Sequence, residues 1–293
     1  MANIYKRTLT GTLLLALIIG TAIFNSIAFV SLFFFIMLGS LFEFYRISNH
    51  FKVHPQTVMG MLLAASLYIY FFLNSIGFIP IRFIWLLLPL MSLVFINELF
   101  FHENRPFHNI AFTFLGIFYV AFPFALFNYL LFSVSGEFGA GSSGEKDIVN
   151  FVFQPPNLVR YDYQLLLGIF SLHWISDSGA YIIGVPFGKH KLWKRVSPKK
   201  SWEGLFGGAF FALITAFLLA RYFPVLSITE WMIIAFIVIV FGTFGDLIES
   251  LLKRIAGMKD SGTILPGHGG FLDRYDSVIF SLPVIYAYLQ IIG

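Results

Sequence analysis

The chain has 293 residues, of which 58% are hydrophobic and only 12% are charged, and its mean hydropathy is +0.83. A soluble domain carries about twice that share of charged residues, so the composition excludes an ordinary soluble protein. Cysteine is absent, which excludes disulfides and thiol chemistry, and the net charge is +4. The apolar runs do not alternate with polar residues, which excludes a β-barrel.

Apolar runs long enough to cross a bilayer recur along the chain and predict an all-α integral membrane protein, a polytopic bundle of about nine transmembrane helices. The predicted spans are residues 8–24, 25–45, 56–75, 82–101, 109–134, 162–184, 204–223, 229–252 and 276–292. Only a short turn near Asn25 separates the first two. The opening run follows Lys6 and Arg7, as in a signal peptide, but no convincing small-residue cleavage site follows it, so we expect a retained helix.

The lysines and arginines predict the orientation, because they concentrate on the cytoplasmic side of membrane proteins. With the N-terminus in the cytoplasm, fifteen of the nineteen fall in inside segments and four fall outside. The C-terminus is then expected outside. We expect a single membrane domain, with five helices in residues 1–135 and the chemistry in residues 162–293. The outside loop between them, residues 135–161, has the composition of a flexible linker.

Span six carries His173, Ser176, Asp177 and Tyr181 among its polar residues. A Ser/His/Asp hydrolase triad could be drawn here, but no nucleophile-elbow sequence accompanies it, so we interpret these residues as the polar lining of a cavity. Two other carboxylates, Glu43 and Glu98, lie near the ends of predicted spans and are expected to be solvated or hydrogen-bonded there.

The basic segment, residues 187–204, packs six lysines and arginines into residues 189–200. Lipid anchoring alone would explain such a cluster. Its end is more specific, because two serines flank a lysine pair and three glycines open the next helix, which suits an anion site at a helix N-terminus. The residues concerned are Lys189, Ser197, Lys199, Lys200, Ser201, Gly204, Gly207 and Gly208.

Span eight ends with a polar stripe, because Asp246, Glu249, Ser250 and Lys253 recur at helical spacing. An ion pair between Glu249 and Lys253 accounts for the glutamate, but Asp246 lies deeper in the span. The next segment, LPGHGGFLDRYDS at residues 265–277, cannot begin as a helix, because its proline and glycines force a turn.

Asp273 and Asp276 follow that turn, where capping would need only one such residue. If the two helix ends meet, Asp246, Asp273 and Asp276 converge, and a divalent hard cation relieves their repulsion. Oxygen ligands without cysteine suit Mg²⁺. Carboxylates for a metal ion, surrounded by basic residues, are the arrangement that phosphoryl or nucleotidyl transfer requires.

The signature segment, residues 250–277, resembles the signature of the phosphatidate cytidylyltransferases, also called CDP-diglyceride synthases. The matching positions are Ser250, Lys253, Arg254, Lys259, Asp260, Gly262, Leu265, Pro266, His268, Gly269, Gly270, Asp273, Arg274 and Asp276. Residues 177–208 also resemble that family, whereas the first five spans resemble it only in hydropathy. Tyr275 departs from the pattern, since an aliphatic residue or Phe is more usual there, and the outside loop is long for the family.

The resemblance implies that CTP and phosphatidic acid react to give CDP-diacylglycerol and pyrophosphate, with Mg²⁺, at the cytoplasmic face of the cell inner membrane. It also implies a two-cation centre, with K⁺ a candidate second ion, and a homodimer; no nucleic-acid partner is expected. The residues expected to be catalytic are Asp246, Lys253, Lys259, Asp273 and Arg274, and the expected metal ligands are Asp246, Asp273 and Asp276. The residues expected to bind substrate are Asp177, Lys189, Ser197, Lys199, Lys200, Ser201, Ser250, Arg254, His268, Gly269 and Gly270.

Two other functions fit the sequence less well. An alcohol phosphotransferase acting on CDP-lipids would carry an aspartate-rich motif with two Asp-Gly elements, which this sequence lacks. A secondary transporter would place its charges at the membrane midplane between inverted repeats. Here the charges cluster at predicted cytoplasmic ends and no repeat is detectable, so the sequence favours an enzyme.

Overall fold

The computed structural model of the protein describes residues 2–101, 105–134, 159–265, 267 and 269–292. Within them the chain forms eleven α-helices and four short strands; because two pairs of helices are continuous through π-helical turns, the α-helices make up nine helical segments. The elements are α1 (Ala2–Phe24), α2 (Ser26–Ser48), α3 (Thr57–Ser75), α4 (Leu87–Phe101), α5 (Pro106–Gly116), α6 (Phe122–Leu131), β1 (Phe132–Val134), β2 (Val159–Tyr161), α7 (Tyr163–Phe187), β3 (Lys191–Trp193), β4 (Ser197–Ser201), α8 (Trp202–Tyr222), α9 (Ile228–Ile237), α10 (Thr243–Ile255) and α11 (Leu272–Ile292). A π-helical turn joins α5 to α6, and another joins α9 to α10.

Eight helical segments are long and apolar enough to cross a bilayer, and the apolar part of α1, Thr10–Phe24, is shorter. The predicted all-α polytopic bundle is thereby confirmed, and the orientation of its termini stays a prediction. The π-helical turn Ile117–Ala121 precedes Pro123, whose missing N–H removes one α-helical hydrogen bond.

Capping residues explain where several helices begin. Asn25 separates α1 from α2, as predicted, and its side chain accepts a hydrogen bond from the Ala28 N–H at 2.9 Å. Asp162 caps α7 and Ser201 caps α8 in the same way. A reciprocal capping box at Ser227 begins α9. Each cap satisfies an N–H that the helix itself leaves unpaired.

Several predicted span boundaries differ from the structure by a few residues, among them the starts of the fourth, fifth and last spans. The fourth span begins with a 3₁₀ helix, Ile81–Leu86, and becomes α-helical at Leu87. The fifth begins at Pro106, because proline fits the first helical turn. The last begins at Leu272 rather than residue 276, so Asp273 stands in its first turn.

Two antiparallel strand pairs were not predicted: β1 falls at the end of the predicted fifth span, residues 109–134, and the other three strands fall in segments predicted as loops. β1 pairs with β2, and of the predicted outside loop 135–161 only residues 159–161 are described. The interpretation of this loop as a linker otherwise falls outside the described residues. β3 pairs with β4 and turns the middle of the basic segment into a hairpin against the start of α8.

One apolar core joins the two parts of the chain. Phe33 of α2 and Phe124 of α6 both contact the ring of Tyr275 on α11, with ring centroids 5.8 and 5.6 Å apart. Tyr275, which departs from the family pattern, is therefore packed into the core at 3% exposure. The signature segment is anchored against helices of the N-terminal part.

Glycines allow α7 and α8 to pack closely. A Cβ on Gly207 would lie 2.5 Å from the Cβ of Ile183, and one on Gly208 would lie 2.7 Å from the carbonyl oxygen of Ser176. These glycines were expected to open an anion site. The structure gives them a packing role, which brings Asp177 of α7 beside the start of α8.

Candidate active site

A cavity of about 740 Å³ lies among α7, α8, α10, α11 and the β3–β4 hairpin. Its wall combines acidic, basic and hydroxyl side chains with small apolar residues. The polar side chains that line it are His173, Ser176, Asp177, Tyr181, Lys191, Lys199, Lys200, Ser201, Thr243, Asp246, Lys253, Asp260, Asp273, Arg274, Asp276 and Ser277. The interpretation of span six as a polar cavity wall is confirmed by this lining.

Asp246 connects the two predicted polar segments. It forms an ion pair with Lys200 of β4 and accepts a hydrogen bond from Ser250 Oγ at 3.1 Å. The Lys200 and Asp246 side chains are 30% and 31% exposed, so the pair is open to the cavity. Gly245 lets α11 approach, because a Cβ there would lie 2.5 Å from the Asp276 carbonyl oxygen.

Asp273 uses both carboxylate oxygens within the protein. Oδ1 accepts a hydrogen bond from Lys253 Nζ at 2.6 Å, and Oδ2 accepts bonds from the N–H groups of Ser261 and Gly270, both at 2.9 Å. Its side chain is 6% exposed. Asp273 therefore links Ser261 to Gly270, at the two ends of the loop that precedes α11, a role that its predicted metal binding did not anticipate.

Lys253 joins Asp273 to Glu249. The predicted ion pair between Glu249 and Lys253, one helical turn apart, is confirmed. Glu249 is fully buried, and among the described residues its carboxylate oxygens make no hydrogen bond beyond this ion pair. Removing the only cation that pairs with a buried carboxylate leaves an uncompensated charge and destabilises the folded protein.

Four aspartates from three helices line the cavity: Asp177, Asp246, Asp273 and Asp276. Asp276 is buried, and its Oδ1 accepts a hydrogen bond from the Ser277 N–H at 2.6 Å. This oxygen-only donor set fits a hard cation such as Mg²⁺. In the part of the chain that the structure describes, no three acidic or histidine side chains already stand together as a metal-binding group.

The basic segment is divided between two cavities. Lys199 and Lys200 line the main one, whereas Lys189 and Lys194 line a second, more open cavity of about 640 Å³. Lys191 lines both. The β3–β4 hairpin thus presents Lys189 and the Lys199–Lys200 pair to different cavities, which separates Lys189 from the site predicted for it.

Several other predicted site residues also lie away from the main cavity wall. Those described residues are Ser197, Ser250, Arg254, Lys259, Gly269 and Gly270. Ser250 instead donates to Asp246, and Arg254 Nη1 donates to the Met258 carbonyl oxygen at 3.3 Å. His268 lies outside the described residues.

Sequence reasoning assigned no site role to Asp260, Lys191 or Glu43. Asp260 belongs to the matched signature and Lys191 to the basic segment, so both carried a local signal. Glu43 lies on α2, far away in sequence, and its only signal was a carboxylate within an apolar span, which is costly unless it has partners. The expected hydrogen bonding of Glu43 is confirmed, and its donors belong to the signature segment.

Comparisons with known proteins identify the family of the chain. The sequence profile described as the Cytidylyltransferase family matches residues 5–292. A Bacillus subtilis (strain 168) protein named phosphatidate cytidylyltransferase is 32% identical over 298 residues, covering 99% of each chain. Proteins of that name from Staphylococcus aureus (strain COL) and Staphylococcus epidermidis (strain ATCC 12228 / FDA PCI 1200) are 48% and 46% identical over 122 residues, 41% of this chain and 46% of theirs. The chain therefore belongs to the Cytidylyltransferase family.

Proposed function

We propose that the chain is a phosphatidate cytidylyltransferase, which transfers CMP from CTP to phosphatidic acid and serves phospholipid biosynthesis. The Bacillus subtilis relative of that name matches over almost the entire chain. The observation that carries the proposal is the contact between Lys200 and Asp246, because it brings the basic segment and α10 to one cavity. That cavity falls within the usual size range for small-molecule sites.

In the proposed reaction, a phosphate oxygen of phosphatidic acid attacks the α-phosphorus of CTP. A new P–O bond forms, the bond from the α-phosphorus to the oxygen bridging the β-phosphorus breaks, and its electron pair leaves on pyrophosphate. The attacking phosphate is already an anion, so no strong general base is needed. Lys199, Lys200 and Arg274 line the cavity and would hold the phosphates, including the leaving pyrophosphate.

The proposal places Mg²⁺ at Asp246, Asp273 and Asp276, with Asp177 as a further oxygen donor on the same wall. A divalent ion bound there would neutralise charge shared by the reacting groups. Lys200 balances Asp246, and Lys253 balances Asp273. Once these carboxylates were shared with a cation, the two lysines would be free to contact substrate phosphates. A second cation such as K⁺ and a homodimer remain part of the proposal.

The cavity is bounded by helices of the transmembrane bundle, which fits a substrate with one end in the bilayer. The acyl chains would stay among the lipids while the head group enters between α7, α10 and α11. The charge asymmetry of the loops supports a cavity that opens to the cytoplasm, at the inner membrane.

The test uses the purified full-length protein with radiolabelled CTP, phosphatidic acid and Mg²⁺. We expect CDP-diacylglycerol and pyrophosphate to form in equal amounts without any ion gradient. A transporter would instead move a solute across sealed vesicles and release no pyrophosphate. If a thermal unfolding transition shows that the protein is folded and no label enters the lipid phase, the proposal is contradicted.

A further inference from the structure

Glu43 is a buried carboxylate on α2, outside the residues that line the main cavity. It is 1% exposed, and both oxygens accept hydrogen bonds from the signature segment. Oε1 accepts from the Phe271 N–H at 3.1 Å, while Oε2 accepts from the Leu272 N–H at 2.9 Å and from Ser261 Oγ at 3.0 Å. Hydrogen bonds to a charged acceptor are among the stronger ones in proteins.

The described parts of the signature loop (residues 261–271), namely 261–265, 267 and 269–271, fit closely around this side chain. A Cβ on Gly262 or on Gly270 would fall on the Glu43 carboxylate. On the other side of the contact, a Cβ on Gly39 would lie 2.7 Å from the ring of Phe271. Close approach between α2 and the loop therefore depends on glycine on both sides.

Glu43 and Asp273 both accept hydrogen bonds from the same two ends of the loop. Ser261 donates its hydroxyl to Glu43 and its N–H to Asp273, while the returning end donates from Gly270 to Asp273 and from Phe271 to Glu43. Asp273 in turn contacts the cavity residue Lys253. A continuous polar network thus runs from α2 to the cavity wall.

We propose that Glu43 is a positioning residue, which holds the signature loop and the first turn of α11 so that Asp260, Asp273 and Arg274 face the cavity. It acts through the loop and touches no substrate. The inference rests on the proposed function where it concerns turnover, but the holding of the loop is a separate, measurable property. It also assigns α2, outside the signature segment, a part in organising the site.

The test compares Glu43→Gln with Glu98→Gln in the full-length protein. Glu98 is a matched control, because it is also 1% exposed on a transmembrane helix and accepts hydrogen bonds from Gln56 and Asn109, away from the cavity. Gln keeps the shape of Glu but cannot accept at both positions, so at least one donor of the loop is left facing an NH₂ group.

We expect the peptides covering residues 258–272 in Glu43→Gln to exchange amide hydrogens about ten-fold faster, and kcat for cytidylyl transfer to fall about ten-fold or more. In Glu98→Gln, exchange in this loop and kcat should stay within about two-fold of the unchanged protein. Ser261→Ala removes one donor and keeps the carboxylate, so it should give smaller changes in the same direction. It serves as the second variant if Glu43→Gln does not fold.

Unchanged exchange of the loop in Glu43→Gln, or in Ser261→Ala if that is the folded variant, would overturn the inference. So would a loosened loop with unchanged kcat and KM, or equal losses of turnover in Glu43→Gln and Glu98→Gln. If the unchanged protein transfers no CMP, the proposed function fails, and hydrogen exchange alone decides whether Glu43 holds the loop.

Discussion

Asp246 and Asp273 were both predicted to bind a metal ion, yet their surroundings differ. The Asp246 side chain is about a third exposed and pairs with an equally accessible Lys200. The Asp273 side chain is almost buried, and each of its oxygens has a partner within the protein. Exposed ion pairs add little to stability, whereas buried, hydrogen-bonded carboxylates hold their neighbours in place.

We therefore expect Asp246→Asn and Asp273→Asn to differ in stability while both lose activity. Each should lower cytidylyl transfer about a hundred-fold or more, because the proposed cation loses a charged ligand. Asp246→Asn should keep its thermal unfolding temperature in detergent, and Asp273→Asn should lose several degrees. Turnover against Mg²⁺ concentration, measured beside thermal unfolding, checks this. Near-normal activity in either variant would contradict the shared-cation site.

Lys253 offers a test of its buried ion pair with Glu249. Lys253→Met should destabilise the protein by about 3–5 kcal/mol, because fully buried Glu249 loses its ion-pair partner. Adding Glu249→Gln should restore much of that stability by removing the unpaired charge. Activity should stay low in both variants, since Lys253 also lines the cavity. Unfolding in denaturant with both variants measures the effect, and no stability gain from the second substitution would count against the pairing.

At the scale of elements, the β3–β4 hairpin sorts the cations of the basic segment by position. Lys199 and Lys200 line the main cavity, whereas the exposed Lys194 lines the second cavity. A segment acting only as a lipid anchor would use all of its cations alike. A division between the two surfaces instead predicts different consequences for substrate binding.

Lys199→Ala combined with Lys200→Ala should raise the KM for CTP about ten-fold, because both ammonium groups are proposed to contact phosphates. Lys194→Ala combined with Arg195→Ala is the matched control, since it removes two exposed cations of the same hairpin. The control should keep its KM for CTP and lose retention on anionic vesicles. Equal KM values in the two double variants would favour lipid anchoring alone.

Local patterns predicted these elements unevenly. The apolar spans, the break at Asn25 and the polar stripe of α10 follow from hydropathy, capping and helical spacing, which act over a few residues. The hairpin was missed, because its strands are three and five residues long and rich in lysine. Short charged strands carry almost no propensity signal of their own.

At the scale of the whole molecule, the orientation in the membrane is a prediction from charge. The absence of cysteine allows it to be tested with single labels. Ser142→Cys should react with a membrane-impermeant maleimide from outside intact cells, and Arg195→Cys only after the cytoplasmic side is opened. The reverse pattern would overturn the topology and the cytoplasmic cavity with it.

Only part of the candidate site could be predicted, because sequence patterns act over a few residues and contacts between distant segments leave no such pattern. Asp246, Asp273 and Lys200 stand in segments with recognisable patterns, so sequence reasoning brought them to one place. Glu43 bonds to residues 218 to 229 positions later. No pattern within α2 states which donors its carboxylate will meet, so the fold had to be seen.

That separation has a consequence for how the protein is made. At about 5–20 residues per second, roughly 10 to 45 seconds pass between synthesis of α2 and synthesis of the loop that supplies the donors to Glu43. During that time α2 carries an acidic side chain into the bilayer without its final hydrogen bonds. A chain that stops before residue 261 supplies none of them, and one that stops before residue 272 lacks the Leu272 donor. The ribosome thus completes the working site only as the last helix emerges, and prematurely terminated chains should be inactive and readily recognised by membrane proteases.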